Sequence, residues 1–274
     1  SEVSMKRFAW LLLSLPLFAS CAGKTGGDDL AALKKAGKIV LGTSADYPPY
    51  EFHRLDQGAD SIVGFDIAIA KEIAGKLGVE LEIKDMKFDG LLAALDSGNV
   101  DLVLAGMTPT EERRKSVDFT RVYYRADQGI LLRKADLGKY ANLESLKGAV
   151  IGAQKGAIQA GIAKKRIKGL EDDKAEHREV KELGKVADLV LELKNGKIEA
   201  VVVEKNVAAA YAKRNPDLAV ADIGFPDEEG GSAAAVKKGR QALLAAVDAA
   251  LGAVVDSGAV EGFVAEATLL AETE

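Results

Sequence analysis

Cysteine occurs once in the 274 residues, at Cys21, so no disulfide can form within the chain and its core must hold by packing alone. Histidine occurs twice. His53 and His177 stand far apart with no partner at ligand or base spacing, which leaves no metal motif. A glycine-rich phosphate loop and a strand-to-helix nucleophile elbow are both missing. An excess of positive charge is missing too: 37 Lys and Arg face 42 Asp and Glu, a net charge of −5. The basic clusters beyond the N-terminal region are residues 113–115 and 164–168, too small a footprint for a nucleic-acid face. The alanine-rich C-terminal stretch is broken by Asp248, Asp256 and Glu261, so it reads as surface helices and not as a membrane span. What is plentiful is apolar residues, 48 % of the chain, enough for one large or two medium α/β cores.

Residues 1–20 read as a leader. Met5, Lys6 and Arg7 form a basic start, and residues 8–18 an apolar run too short for a stable anchor. The run ends in Phe18-Ala19-Ser20-Cys21, which resembles a bacterial lipobox; cleavage before Cys21 and a diacylglycerol on its sulfur are the expectation. An ordinary secretory signal with a stray cysteine is the alternative. Residues 22–29 are small, polar and glycine-rich, a flexible tether within a lipidated segment spanning 21–36.

From there strand and helix patterns alternate. A short helix at 30–36 closes at Gly37, and a strand follows at 38–43. Pro48 and Pro49 turn the chain out of the sheet. A helix is expected over 67–78, a strand at 80–83, a helix at 88–95 and a strand at 100–105. Such alternation means α/β with a mostly parallel sheet. A second α/β pattern starts with a strand at 149–153 and repeats the first. Residues 91–106 (LLAALDSGNVDLVLAG) and 189–204 (LVLELKNGKIEAVVVE) share helix, glycine turn, acid and apolar strand at one offset. Residues 37–43 parallel 148–153 more weakly. Two related units placed side by side bind ligands in the crevice at the C-terminal ends of their strands.

The stretch 102–119 carries the most chemistry. An apolar strand runs into Gly106, Pro109 stops it, and Thr110 caps a helix whose first turn holds Glu111 and Glu112. Thr108 and Arg113 then converge at a strand end, an arrangement suited to a carboxylate held by the guanidinium fork. The competing reading is a surface helix in which Arg113 pairs with a neighbouring Glu. In the second unit the equivalent strand ends at Glu204, which places an acid on the facing wall. An arginine opposite a carboxylate fits a zwitterion.

The motifs Asp46-Tyr47-Pro48-Pro49-Tyr50-Glu51-Phe52, Ile62-Val63-Gly64-Phe65-Asp66, Phe88-Asp89-Gly90-Leu91, Ala105-Gly106-Met107-Thr108-Pro109-Thr110-Glu111-Glu112-Arg113 and Val117-Asp118-Phe119 together resemble one known family. From about residue 37 to 271 the chain is similar to the extracytoplasmic polar amino-acid-binding proteins of ABC importers, with the periplasmic-binding-protein type II fold. The resemblance implies two Rossmann-like α/β lobes joined by a two-strand hinge near 124–128 and 219–223. Lobe 1 would span 37–125 and 222–274, and lobe 2 would span 126–221. It also implies a free L-amino acid as ligand, an ABC permease with its ATPase as partner, a monomer, no cofactor and no catalytic residue.

By position, Arg113 resembles the arginine that takes the ligand α-carboxylate, helped by Thr108 and the backbone near Gly106, and Met107 between them is counted among the ligand-binding residues. Tyr47 and Phe88 match the aromatic walls, while Ser44 and Asp46 lie in the turn that reads the side-chain end. Glu204 sits where an acid, more often aspartate, holds the ammonium. In Gln154-Lys155-Gly156-Ala157-Ile158-Gln159 the chain departs from the family: Ala157 and Ile158 replace hydroxyl residues, at a loss of about 1.5–3 kcal/mol for a bond to a charged group. Ser44, Asp46 and Glu51 make an oxygen-rich end suited to a cation, so arginine or lysine leads and glutamine follows. An enzyme on the same fold, of the cyclohexadienyl dehydratase kind, and a sensor component are the alternatives.

Overall fold

Glycine at the end of an apolar helix releases the chain into a left-handed residue, and that device punctuates the architecture from its first element. A computed structural model describes residues 28–56, 58–167, 180–226 and 230–273. The leader, Cys21, nearly all of the tether, Lys168 and His177 lie outside the described residues. Helix α1 (Asp28–Ala36) ends at Gly37, whose φ is 72°, and hands over to strand β1 (Lys38–Thr43). The excursion at Pro48-Pro49 becomes a small three-stranded sheet of β2 (Asp46–Tyr47), β3 (Glu51–Asp56) and β4 (Ala59–Val63). Helix α2 (Phe65–Leu77), strand β5 (Glu80–Asp85), helix α3 (Leu91–Ser97), strand β6 (Leu102–Val103), helix α4 (Glu111–Ser116) and strand β7 (Val117–Tyr124) complete the first pass through lobe 1.

Lobe 2 holds β8 (Gln128–Arg133), α5 (Leu143–Leu146), β9 (Ile151–Gln154), α6 (Ile158–Gly161), β10 (Val180–Leu183), α7 (Val186–Lys194), β11 (Ala200–Glu204), α8 (Lys205–Arg214) and β12 (Leu218–Phe225). The chain then returns to lobe 1 as β13 (Ser232–Lys237), α9 (Gln241–Asp256) and α10 (Ala259–Glu272). Strand order is β5-β1-β6-β13-β7 in one sheet and β10-β9-β11-β8-β12 in the other. The two orders superimpose, β1 on β9 and β6 on β11, as the internal repeat requires. The returning helices cover lobe 1, α9 against α2 and β7, with Leu243, Val247 and Leu251 fully buried in the same apolar cluster as Ile69 and Ile73. No single helix among the described residues is long and apolar enough to cross a membrane.

Three expectations need correcting. The sheets are mixed and not mostly parallel: β1 runs parallel to β5 and β6, but β13 pairs antiparallel with both β6 and β7. In lobe 2, β8 is likewise antiparallel to β11 and β12. Each lobe takes its fourth strand from a chain arriving from the other lobe, and such a strand enters from the opposite end. The helix expected over 88–95 begins as a tight 3-10 turn at Phe88–Gly90, and of the apolar run 100–105 only Leu102–Val103 pairs as strand. Finally, β12 stays paired with β8, through a register shift between Val220 and Gly224, as far as Phe225 opposite Gln128. The second sheet therefore keeps the chain through Phe225 and the first sheet takes it again from Ser232, so lobe 1 resumes later than residue 222.

Two glycines fix how the site is hung. Gly64 has φ 129° and ψ 170°, a region open essentially to glycine alone, and a Cβ there would overlap the Tyr50 carbonyl. Gly231, at the second crossing, has φ 86° and would collide with the Tyr124 carbonyl. Gly64→Ala is expected to lower stability by about 2–4 kcal/mol in urea unfolding with an unchanged m-value.

Candidate ligand-binding cleft

Helix α4 owes its placement to Thr110, whose hydroxyl accepts the Arg113 amide at 3.3 Å. That cap aims the Arg113 side chain back over the strand end. Its Nη1 donates to the Thr108 carbonyl at 2.7 Å, its guanidinium lies 5.3 Å over the Phe88 ring, and its Nη2 donates across the cleft to the Gly156 carbonyl at 2.9 Å. These contacts turn Arg113 into the cleft and away from the exposed face of a surface helix. Main-chain oxygens and an aromatic face orient its guanidinium there.

On the same lobe Tyr47 stands beside Gly106, where any larger residue would meet its ring at 3.4 Å. The Tyr47 hydroxyl accepts the Glu204 amide of lobe 2 at 3.2 Å and lies 3.4 Å from Gln159 Nε2. Gln159 in turn donates to Gln128 Oε1 at 2.8 Å, which ties helix α6 to the root of the hinge. These side chains close around a narrow space between the lobes. It is lined by Tyr47, Phe88, Ala105, Gly106, Thr108, Arg113, Gln154, Ala157, Ile158 and Gln159.

Behind that wall lies a cluster of buried acids. Glu51 and Asp66 are inaccessible, and Glu204 is 4 % exposed. Asp66 Oδ2 accepts the Gly106 amide and the Tyr123 hydroxyl, both at 2.9 Å. Glu204 accepts the Tyr50 hydroxyl, and the Tyr50 ring packs at 4.2 Å from Phe65 and 5.4 Å from Tyr47. Burial pushes the Asp66 carboxyl up to about 6 and drives Glu51 well above the usual range, where the neighbouring Asp66 charge raises it further. Both Glu51 oxygens and Asp66 Oδ1 lack a donor. Two carboxylates cannot bond each other, so one proton held by Glu51 resolves the pair. Burial likewise holds the Tyr47, Tyr50 and Tyr123 phenols protonated, and those of Tyr50 and Tyr123 donate to the acids.

Most residues singled out in the sequence meet here: Tyr47, Phe88, Gly106, Thr108, Arg113, Gln154, Ala157 and Ile158 all line the space. Others stand elsewhere. Met107 faces a wider outer cleft beside Phe88 and Arg113, and Glu204 sits beneath the wall with the acids. Ser44 and Asp46 do not line the space; the Ser44 hydroxyl donates to Asp46 Oδ1 at 3.3 Å, and Asp46 turns to lobe 2. Ala157 caps a helix of only four residues with no side-chain bond, so this helix start brings no hydroxyl to the space. Gln159, Asp66 and Tyr123 were missed. Asp66 carried a signal, an acid in the first turn of α2, but that position also reads as an ordinary helix start.

The sequence profile of the bacterial extracellular solute-binding proteins, family 3, matches residues 39–266. The chain belongs to that family. Among curated relatives, the arginine-binding extracellular protein ArtP of Bacillus subtilis is 39 % identical over 265 residues, covering 94 % of this chain and 96 % of that protein. The crystal structure of the amino acid ABC transporter substrate-binding protein AbpA of Streptococcus pneumoniae, bound to L-arginine, matches with a TM-score of 0.82 at 36 % identity. That alignment covers 89 % of this chain and 100 % of the other. An ancestral arginine-binding protein bound to glutamine matches with a TM-score of 0.73 at 37 % identity, covering 84 % and 97 %. The two-lobed architecture of this family-3 solute-binding protein is thus the one expected from its motifs.

The raised acids set a pH dependence with a definite sign. Asp66 has a native pKa of about 6 against an ordinary 3.8, so the folded chain holds this proton more tightly than the unfolded chain. That stabilisation is full below about pH 4 and is lost as pH rises through about 6. The thermal midpoint is expected to fall between pH 5 and pH 8. Glu51→Gln should flatten the decline and raise the midpoint at pH 8 by about 3 °C or more, read by calorimetry.

Proposed function

We propose that this solute-binding protein captures a cationic L-amino acid, arginine first, then lysine, with glutamine next, and delivers it to an ABC importer. One observation carries the choice of ligand. Glu51, Asp66 and Glu204 are buried together directly behind Gly106 and Tyr47, and the only donor the first two have for three of their four oxygens is the single proton that they share. Buried carboxylates without a cation are costly, and a guanidinium offers five N–H donors in a fork that matches them. An extended side chain running between Tyr47 and Phe88 brings such a group toward that end of the cleft.

The opposite end supplies the matching charge. Arg113, positioned by Thr108 and Phe88, takes the α-carboxylate, with Gln154 and the main chain near Gly106, Ala157 and Ile158 around it. Glu204 supplies negative charge for the ammonium. Binding on lobe 1 precedes closure, and the closed form is favoured by the contacts that only it makes, such as Arg113 to Gly156. An affinity of micromolar or tighter needs about −8 kcal/mol, within reach of an ion pair at each end plus stacking. Lipidation at Cys21 would hold the protein, as a monomer, on the outer face of the membrane beside the permease.

Titration calorimetry with the twenty amino acids tests this reading. Arginine should bind most tightly, and Arg113→Met should weaken it about 10²–10³-fold. Tightest binding of leucine, or an unchanged affinity in Arg113→Met, would overturn it. Glu51→Gln should cost arginine about tenfold or more and leave glutamine within about threefold, because only a cation can displace the proton that Glu51 holds and pair with the carboxylate left behind.

A further inference from the structure

Helix α7 begins with a defect. Its N-cap position is Lys185, which offers no side-chain acceptor to the first-turn amides, and a lysine there opposes the helix dipole. The missing acceptor comes from the other lobe: Asp46 Oδ2 takes the Ala187 amide at 2.9 Å. Asp46 is bound on every side by comparable contacts. Its Oδ1 receives the Ser44 hydroxyl, and its main-chain carbonyl receives the Tyr211 hydroxyl of helix α8 at 2.7 Å. Alongside, Lys185 reaches across to Asp85 Oδ1 at 2.6 Å, while Asp85 also accepts the Ala45 amide at 2.8 Å and faces His53 Nε2 at 3.4 Å. The segment is tightly seated, since a Cβ on Gly184 would meet the Lys87 side chain at 2.7 Å.

We infer that Asp46 is a closure residue: it caps helix α7 across the cleft, and with the Asp85–Lys185 pair it latches the lobes together without touching the ligand. The bonds of Asp46 to Ala187 and Tyr211 and that of Lys185 to Asp85 join lobe 1 to lobe 2, so opening the cleft breaks them together and leaves α7 uncapped. The latch therefore acts on how long the lobes stay shut, and it acts alike on every ligand they enclose. Discrimination between side chains falls to the Glu51 and Asp66 end of the cleft, and Ser44 and Asp46 take no part in it. Asp46 is on this account a positioning residue.

The inference rests on the reading that a small amino acid is held between the lobes, and its test separates the two. Association and dissociation rates of L-arginine and L-glutamine are measured for the wild type, Asp46→Ala, Asp46→Asn and Lys185→Met. Amide exchange of Ala187 is followed in parallel. Asp46→Ala should speed dissociation of both ligands about five- to tenfold, with association within about twofold, the size of a lost cap. Asn retains an oxygen for the Ala187 amide and should restore most of the loss, and Lys185→Met should act in the same direction even if Asp46→Ala folds poorly. Ala187 exchange should quicken in Asp46→Ala and not in Asp46→Asn. A change in the arginine-to-glutamine affinity ratio that matches the change in rate would mean that Asp46 reads the ligand, and would overturn the latch. Unchanged rates and unchanged exchange would overturn it too. A wild type that binds neither amino acid sinks the functional reading, while Ala187 exchange still decides the latch.

Discussion

Three carboxyl groups buried within one cleft wall are the constraint on which this molecule turns. Removing a carboxylate from water costs several kcal/mol unless a charge or a set of donors replaces the solvent. The fold replaces only part of it. Asp66 has two donors on one oxygen and Glu204 has the Tyr50 hydroxyl, but Glu51 has none and is driven to hold a proton. A protein selected for stability alone would place neutral side chains there. This one keeps three acids behind the wall that Tyr47 and Gly106 form, and burial raises two of them. The function proposed above accounts for them as stability traded for recognition.

The opposite wall shows how a charge is held in place. Arg113 is held by Thr108 and Gly156 carbonyls and by the Phe88 ring, all of which orient a guanidinium. Two of those partners sit on one lobe and one on the other, so the arginine is completed by closure. On the proposed function, closure and neutralisation of the buried acids go together. The Tyr47 hydroxyl, which accepts the Glu204 amide from lobe 2, belongs to the same coupling.

How much of this was legible before the structure follows from the range over which each signal acts. The paired units were visible because helix, glycine turn, acid and strand recur locally at 91–106 and 189–204, and β6 and β11 indeed hold equivalent places in their sheets. The Thr110 cap and the convergence of Thr108 with Arg113 were visible for the same reason. The second hinge crossing was not, since β12 looks the same whether its neighbour is β8 or a strand of the other lobe. Gln159 lies on a four-residue helix that continues as a π-turn, and no period marks a glutamine there as a bridge. Asp46 was identified as a ligand reader from its motif, but a motif records chain position and not which lobe a side chain will face.

Charge recognition at the acid cluster is tested most directly by comparing L-arginine with L-citrulline, a neutral molecule of nearly the same shape. Calorimetric titration of both into the purified protein at pH 7 isolates the cation from its contour. The account predicts that arginine binds at least about a hundredfold more tightly, the scale of one or two charge-assisted hydrogen bonds in a buried site. Equal affinity for the two would show that the buried acids serve the fold alone and that ligand charge is not what the cleft reads.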